Sequence, residues 1–127
     1  GLALDDVIAF AKELKKRGAD YIHVSSGGIS PHQDIPVKPN YQVHLAEAVK
    51  AATGLPTIAV GLITDPHQAE EILTSGKADM VALARGILYD PRWPWHAAAA
   101  LGARIAAAPQ YWRSQPREYK DLFIQNV

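Results

Sequence analysis

The sequence predicts an α/β fold in which short parallel strands alternate with helices. Three observations predict it. Apolar runs of strand length at residues 21–25, 57–60 and 80–83 are separated by stretches with helical spacing. Each run follows a helix stop, read as Gly18-Ala19-Asp20, Gly54-Leu55-Pro56 and Gly76-Lys77-Ala78-Asp79, a weak internal echo. Each run also exits into small residues: Ser25-Ser26-Gly27-Gly28, then Gly61, then Ala84-Arg85-Gly86. Strands joined by single helices pair in parallel through right-handed crossovers.

The elements follow in order. Residues 5–17 place Val7, Ile8, Phe10, Ala11 and Leu14 at helical spacing, with Lys15, Lys16 and Arg17 at the negative end and Gly18 as the stop. Tyr21 to Ser25 is the first strand. Residues 29–40 carry Pro31, Pro36 and Pro39 without a period and form a long loop, a common home for function on a rigid scaffold. Tyr41 to Ala52 is helical, with Val43, Ala46 and Val49 inward and Gly54 ending it. Thr57 to Val60 is the second strand. Asp65 caps the next helix, with Pro66 in its first turn and Gln68 placed to close a capping box. Met80 to Leu83 is the third strand, and Asp90-Pro91 repeats the cap-plus-proline start of a helix running to about Leu101.

Three strands do not close a barrel, and a full (β/α)8 barrel takes about 250 residues. The 127-residue chain therefore reads as the C-terminal part of a TIM barrel, its sixth to eighth strands, over residues 1–108, followed by a tail at 109–127. A small open sheet with covered edges is the alternative. The tail mixes Tyr111, Trp112, Arg113, Arg117 and Tyr119 without a period, a composition suited to contact with a partner subunit.

Thirteen basic and thirteen acidic residues cancel, so no net field draws the chain to nucleic acid or to an anionic membrane. The absence of Cys removes disulfides, thiolate nucleophiles and zinc-thiolate sites, and fits a cytoplasmic location. The first residues lack the basic region of a signal peptide, and the Ala-rich run at 97–108 is too short to span a bilayer.

Small residues at the last two strand exits of a (β/α)8 barrel let backbone N–H groups reach a phosphate. Gly61 and the Ala84-Arg85-Gly86 corner fit that use, with Arg85 able to fork onto phosphate oxygens. Taken singly, such glycines merely make turns. Ser26 and Gly27 leave room for a flat ligand across the strand ends. The five histidines, at 23, 32, 44, 67 and 96, show no metal-ligand spacing, so no metal is expected. His23 reads as a core-packing residue. Trp93 either shapes an apolar substrate pocket or packs the last helix, and Trp95 packs.

The run Pro56 to Thr64, the block Ala78 to Arg85 with Asp90-Pro91-Arg92-Trp93-Pro94, and the tail motif Pro109-Gln110-Tyr111-Trp112-Arg113 resemble the old yellow enzymes. The likeness is closer to the xenobiotic reductase and thermophilic-type ene-reductase class, which Ser25 to Gly28 and Ile35-Pro36-Val37 also match. The resemblance covers most of the chain. It implies a barrel with FMN at the C-terminal face and NADPH or NADH as reductant. It implies hydride transfer from flavin to a small-molecule alkene activated by a carbonyl or nitro group. Gly61, Ala84 and Arg85 would hold the FMN phosphate, and Ser26 and Gly27 would lie near the flavin. Ala84 departs from the family's usual Gly, adding a methyl where backbone approach matters. Trp93, Trp112 and Arg113 would belong to the substrate pocket, with Arg113 reaching a neighbouring subunit in a homodimer or higher oligomer. The family's polarising pair and its Tyr acid match nothing here, so no catalytic residue is expected in this segment, which alone would be inactive. Another phosphate-binding barrel, such as a dihydrouridine synthase, and a non-catalytic phosphate-binding α/β module are the competing readings.

Overall fold

The computed structural model describes residues 2–27 and 30–125. Gly28, which the sequence reading placed in the first strand exit, lies outside them. The first helix, α1, spans Leu4–Lys16. Strand β1 (Ile22–Val24) leads through the proline-rich loop to α2 (Val43–Thr53). Strand β2 (Thr57–Ala59), α3 (Pro66–Thr74) and β3 (Met80–Val81) complete the predicted alternation. The strands form one parallel sheet in the order β1-β2-β3, with Val24 opposite Ala59 and Ala59 opposite Val81. This is a mixed α/β architecture consistent with part of a TIM barrel, and the full barrel is not present.

Period-2 alternation sends one set of strand residues to each face. Val24, Thr57 and Ala59 turn toward the helices and are buried. They meet Ala46 and Val49 of α2, Ala69 and Ile72 of α3, and Ala11 of α1 in one core. The small side chains on both sides let helix and sheet approach closely. The opposite face carries His23, Ile58 and Met80 in register, and no helix covers it among the described residues. His23 is exposed there, which corrects the core-packing expectation. The covering helices sit on the other side of the sheet. Phe10 and Tyr21, also exposed, flank the free edge of β1.

Asp79 fastens the start of β3 to β2 and α2. Its Oδ2 accepts from the Thr57 backbone N–H at 2.9 Å, and its Oδ1 meets Lys50 Nζ at 3.0 Å. The Thr57 N–H, and then Lys50, hold this carboxyl below the usual aspartate range. A depressed folded-state pKa contributes stability above the unfolded value, and that contribution is lost as pH falls through the folded value. Asp79→Asn is therefore expected to flatten the acid limb of the stability profile below about pH 4. Urea midpoints measured down the acid range check it, and an unchanged acid limb would count against the linkage.

Past β3 the chain departs from the sequence reading. A short helix, α4, runs Arg85–Tyr89, and α5 spans Trp93–Ala100. Asp90 does not cap α5. Its Oδ1 accepts from the Arg92 N–H and its Oδ2 meets His96 Nδ1 at 2.6 Å. Pro94 explains the shift. In a helix begun at Pro91 its ring would collide with the Asp90 carbonyl and one ladder bond would be lost. Starting at Trp93 puts Pro94 in the first turn, where no N–H is needed.

The tail is more ordered than its composition suggested. A 3-10 helix spans Pro109–Ser114, and β4 (Ile105–Ala106) pairs in parallel with β5 (Phe123–Ile124). Ala98 of α5, Ala107, Leu122 and Phe123 form a second small core with Trp95 against it. Trp95 thus packs, as expected, with its ring edge-on to Phe123 at 4.6 Å. Arg92 lies over the Trp95 and Tyr111 rings at 4.2 and 4.6 Å. Among the described residues no helix is long and apolar enough to cross a membrane.

Candidate functional site

The C-terminal ends of the three parallel strands open into one cleft of about 350 Å³. Ser26 and Gly27 line it from β1, Gly61 and Leu62 from β2, and Ala84 and Arg85 from β3. All five residues predicted to bind the cofactor therefore meet in one place. Parallel pairing produces this convergence, because strands running the same way end on the same side.

Local chemistry shapes each wall. Gly61 is buried with φ of 125°, a backbone state that L side chains rarely adopt. A Cβ there would come within 3.1 Å of the Tyr41 ring and 3.2 Å of the Gln42 nitrogen. The loop before α2 is thus folded down onto the β2 exit, and Asn40 N–H donates to the Gly61 carbonyl at 3.1 Å. Gln42 is buried beneath the cleft, and its Oε1 accepts from the Ser26 N–H. Ile35 closes over Gly27. The sequence reading missed Gln42, although a signal was present. It stands at i−4 and i−7 to Ala46 and Val49, so a polar side chain occupies a position of the buried stripe of α2.

Among the described residues Arg85 is the single charged one lining the cleft, and no carboxylate lines it. Its exposed guanidinium makes no hydrogen bond or ion pair among the described residues. An unpaired cation beside small residues and backbone, with no acid nearby, suits an anion such as a phosphate. That donor set fits the phosphate of a flavin nucleotide.

Asp65 caps α3 as expected. Its Oδ1 accepts from the N–H groups of His67 and Gln68 at 2.9 and 3.0 Å. The three residues assigned to a substrate pocket lie elsewhere. Trp93 is not in the cleft wall; its indole N–H donates to the Thr64 carbonyl at 2.7 Å and its ring packs on the main core. Trp112 donates to the Ala107 carbonyl at 2.9 Å from the 3-10 helix. Arg113 is exposed and free of hydrogen bonds and ion pairs among the described residues. A second hollow of about 480 Å³ lies between α5 and the tail, walled by Trp95, Tyr111 and Phe123, and none of the predicted site residues lines it.

A parallel α/β unit with a cleft at its strand exits is an architecture on which nucleotide and phosphate sites are commonly built. Comparison with known proteins narrows it. A model of the NADH:flavin oxidoreductase / NADH oxidase family matches residues 2–103, and the chain belongs to that family. It is 47% identical over 113 residues to an NADPH dehydrogenase of Geobacillus thermodenitrificans, covering 89% of this chain and 33% of that protein. Proteins of the same name from Geobacillus sp. WCH70 and Bacillus subtilis are 49% and 45% identical over 113 residues, with the same coverage. The chain thus spans about one third of the length of the curated relatives it matches. The family's cofactors are FMN and NAD(P)H. Family membership also sets aside the dihydrouridine synthase reading.

Proposed function

We propose that this chain is the FMN-phosphate-binding part of a flavin-dependent NAD(P)H oxidoreductase that reduces carbon–carbon double bonds activated by a carbonyl or nitro group. The observation that carries the reading is the convergence of three strand exits on one cleft whose only charge among the described residues is Arg85. Gly61, Ala84 and Arg85 would hold the phosphate, while Ser26 and Gly27 would border the flavin. When bound, the flavin supplies the hydride chemistry, accepting from the nicotinamide and donating to the substrate. This chain's residues anchor and orient it. Backbone and guanidinium fix the phosphate, and the Tyr41–Gln42 segment holds the β1 and β2 exits in one arrangement. Polarisation of the acceptor and protonation of its carbon fall to residues outside this chain. Residues 1–108 act as barrel and 109–127 as a subunit contact, with unpaired Arg113 free to reach a partner's site and Trp93 and Trp112 contributing apolar surface. The protein works in the cytoplasm as a homodimer or higher oligomer.

The test is a graft in which this chain replaces the matching third of the Geobacillus thermodenitrificans protein. The product is expected to purify yellow, oxidise NADPH in the presence of an enone, and sediment as an oligomer that loses order on removal of residues 109–127. A folded but colourless product that takes up no added FMN would overturn the reading. Sedimentation unchanged by the truncation would remove the role of the tail.

A further inference from the structure

We propose that Gln68 is a positioning residue for the phosphate site, locking together the two backbone segments that form its wall. The inference rests on the function proposed above. A capping box needs only the oxygen of the residue at N3. Gln68 Oε1 fulfils that part, accepting from the Thr64 and Asp65 N–H groups at 3.1 and 3.3 Å. Its Nε2 points the other way. It donates to Asn40 Oδ1 at 2.7 Å and to the Leu62 carbonyl at 2.9 Å. Both lone pairs and both protons of the carboxamide are thereby used.

The two partners of Nε2 are the only described residues other than glycine with positive φ, at 62° for Asn40 and 48° for Leu62. A branched side chain such as that of Leu62 disfavours this state, which persists only where surrounding structure enforces it. Gln68 supplies that enforcement from the first turn of α3. Leu62 follows Gly61 at the β2 exit, and Asn40 precedes Tyr41, so the two strained residues flank both sides of the contact that shapes the cleft. Asn40 N–H and the Gly61 carbonyl close the ring of bonds. Loss of the Nε2 bonds would let the Gly61-Leu62 turn relax and its backbone turn away from the phosphate, with the cap of α3 intact.

Gln68→Glu separates the two roles, since glutamate keeps the capping oxygen and loses both donors. A second variant, Asn40→Gly, keeps the left-handed backbone and removes one acceptor. Both are made in the holoprotein of the graft, and dissociation constants are measured for FMN and for riboflavin, which lacks the phosphate. The parent is expected to prefer FMN. Gln68→Glu is expected to weaken FMN about tenfold, as for loss of two part-buried hydrogen bonds, with riboflavin changed less than about twofold. Asn40→Gly is expected to follow the same pattern with a smaller loss. Unchanged FMN affinity in Gln68→Glu overturns the proposal, and so does an equal loss for both ligands, the mark of a merely structural role. A parent that binds the two ligands equally overturns the phosphate site itself, a failure distinct from that of Gln68.

Discussion

Arg85→Ala is expected to weaken FMN retention by about 1–3 kcal/mol, the range for a lost hydrogen bond to a charged partner. That corresponds to a roughly 5- to 150-fold rise in Kd. Among the described residues no other charge lines the cleft to compensate for its removal. The loss should shrink at high salt, because the Arg85 side chain is exposed and its field is screened. Thermal stability of the flavin-free protein should not move, since the guanidinium has no intramolecular partner among the described residues. Arg85→Lys keeps the charge but not the fork, and should recover part of the affinity. Equal flavin occupancy in Arg85→Ala and parent after extensive dialysis would falsify the assignment.

Gly61→Ala is expected to act on the fold and the cleft together. At φ of 125° the backbone is in a state that L side chains rarely adopt, and the added methyl would press the Tyr41 ring at 3.1 Å. Strain and overpacking together predict a loss of about 2–4 kcal/mol. Relief requires Tyr41 to move, and Gln42 moves with it, releasing the Ser26 N–H on the far wall. The variant should therefore lose flavin affinity as well as stability. Urea unfolding and FMN titration check the two effects. A change below about 0.5 kcal/mol would show that the turn adapts freely.

The alternation of helix and strand was legible because the buried stripes repeat at helical spacing and Gly18, Gly54 and Gly76 punctuate them. Parallel pairing followed from single-helix connections, and it brought Ser26, Gly61 and Arg85 together without any pairwise signal between them. The departures share a cause in interactions that local pattern does not encode. Pro94 displaced the start of α5 from Asp90, a conflict between two prolines that a capping motif read alone conceals. Strands β4 and β5 are two residues each, with partners eighteen positions away, so periodicity cannot reveal them. His23 was read as a packed residue because strand alternation leaves open which face is covered. The capping oxygen of Gln68 was legible, but the use of its Nε2 and the bond from the Ser26 N–H to Gln42 emerged only in three dimensions. A glutamine advertises itself in sequence as a cap or a surface residue, whereas here its second atom decides.

The uncovered sheet face and the free rail of β1 have a consequence for the isolated chain in solution. Among the described residues no strand pairs with the outer side of β1, and Phe10 and Tyr21 offer exposed aromatic surface. Such a border solicits any passing strand, including that of an identical molecule. The apparent stability of the chain by itself should therefore rise with its own concentration, as mass action couples folding to self-association.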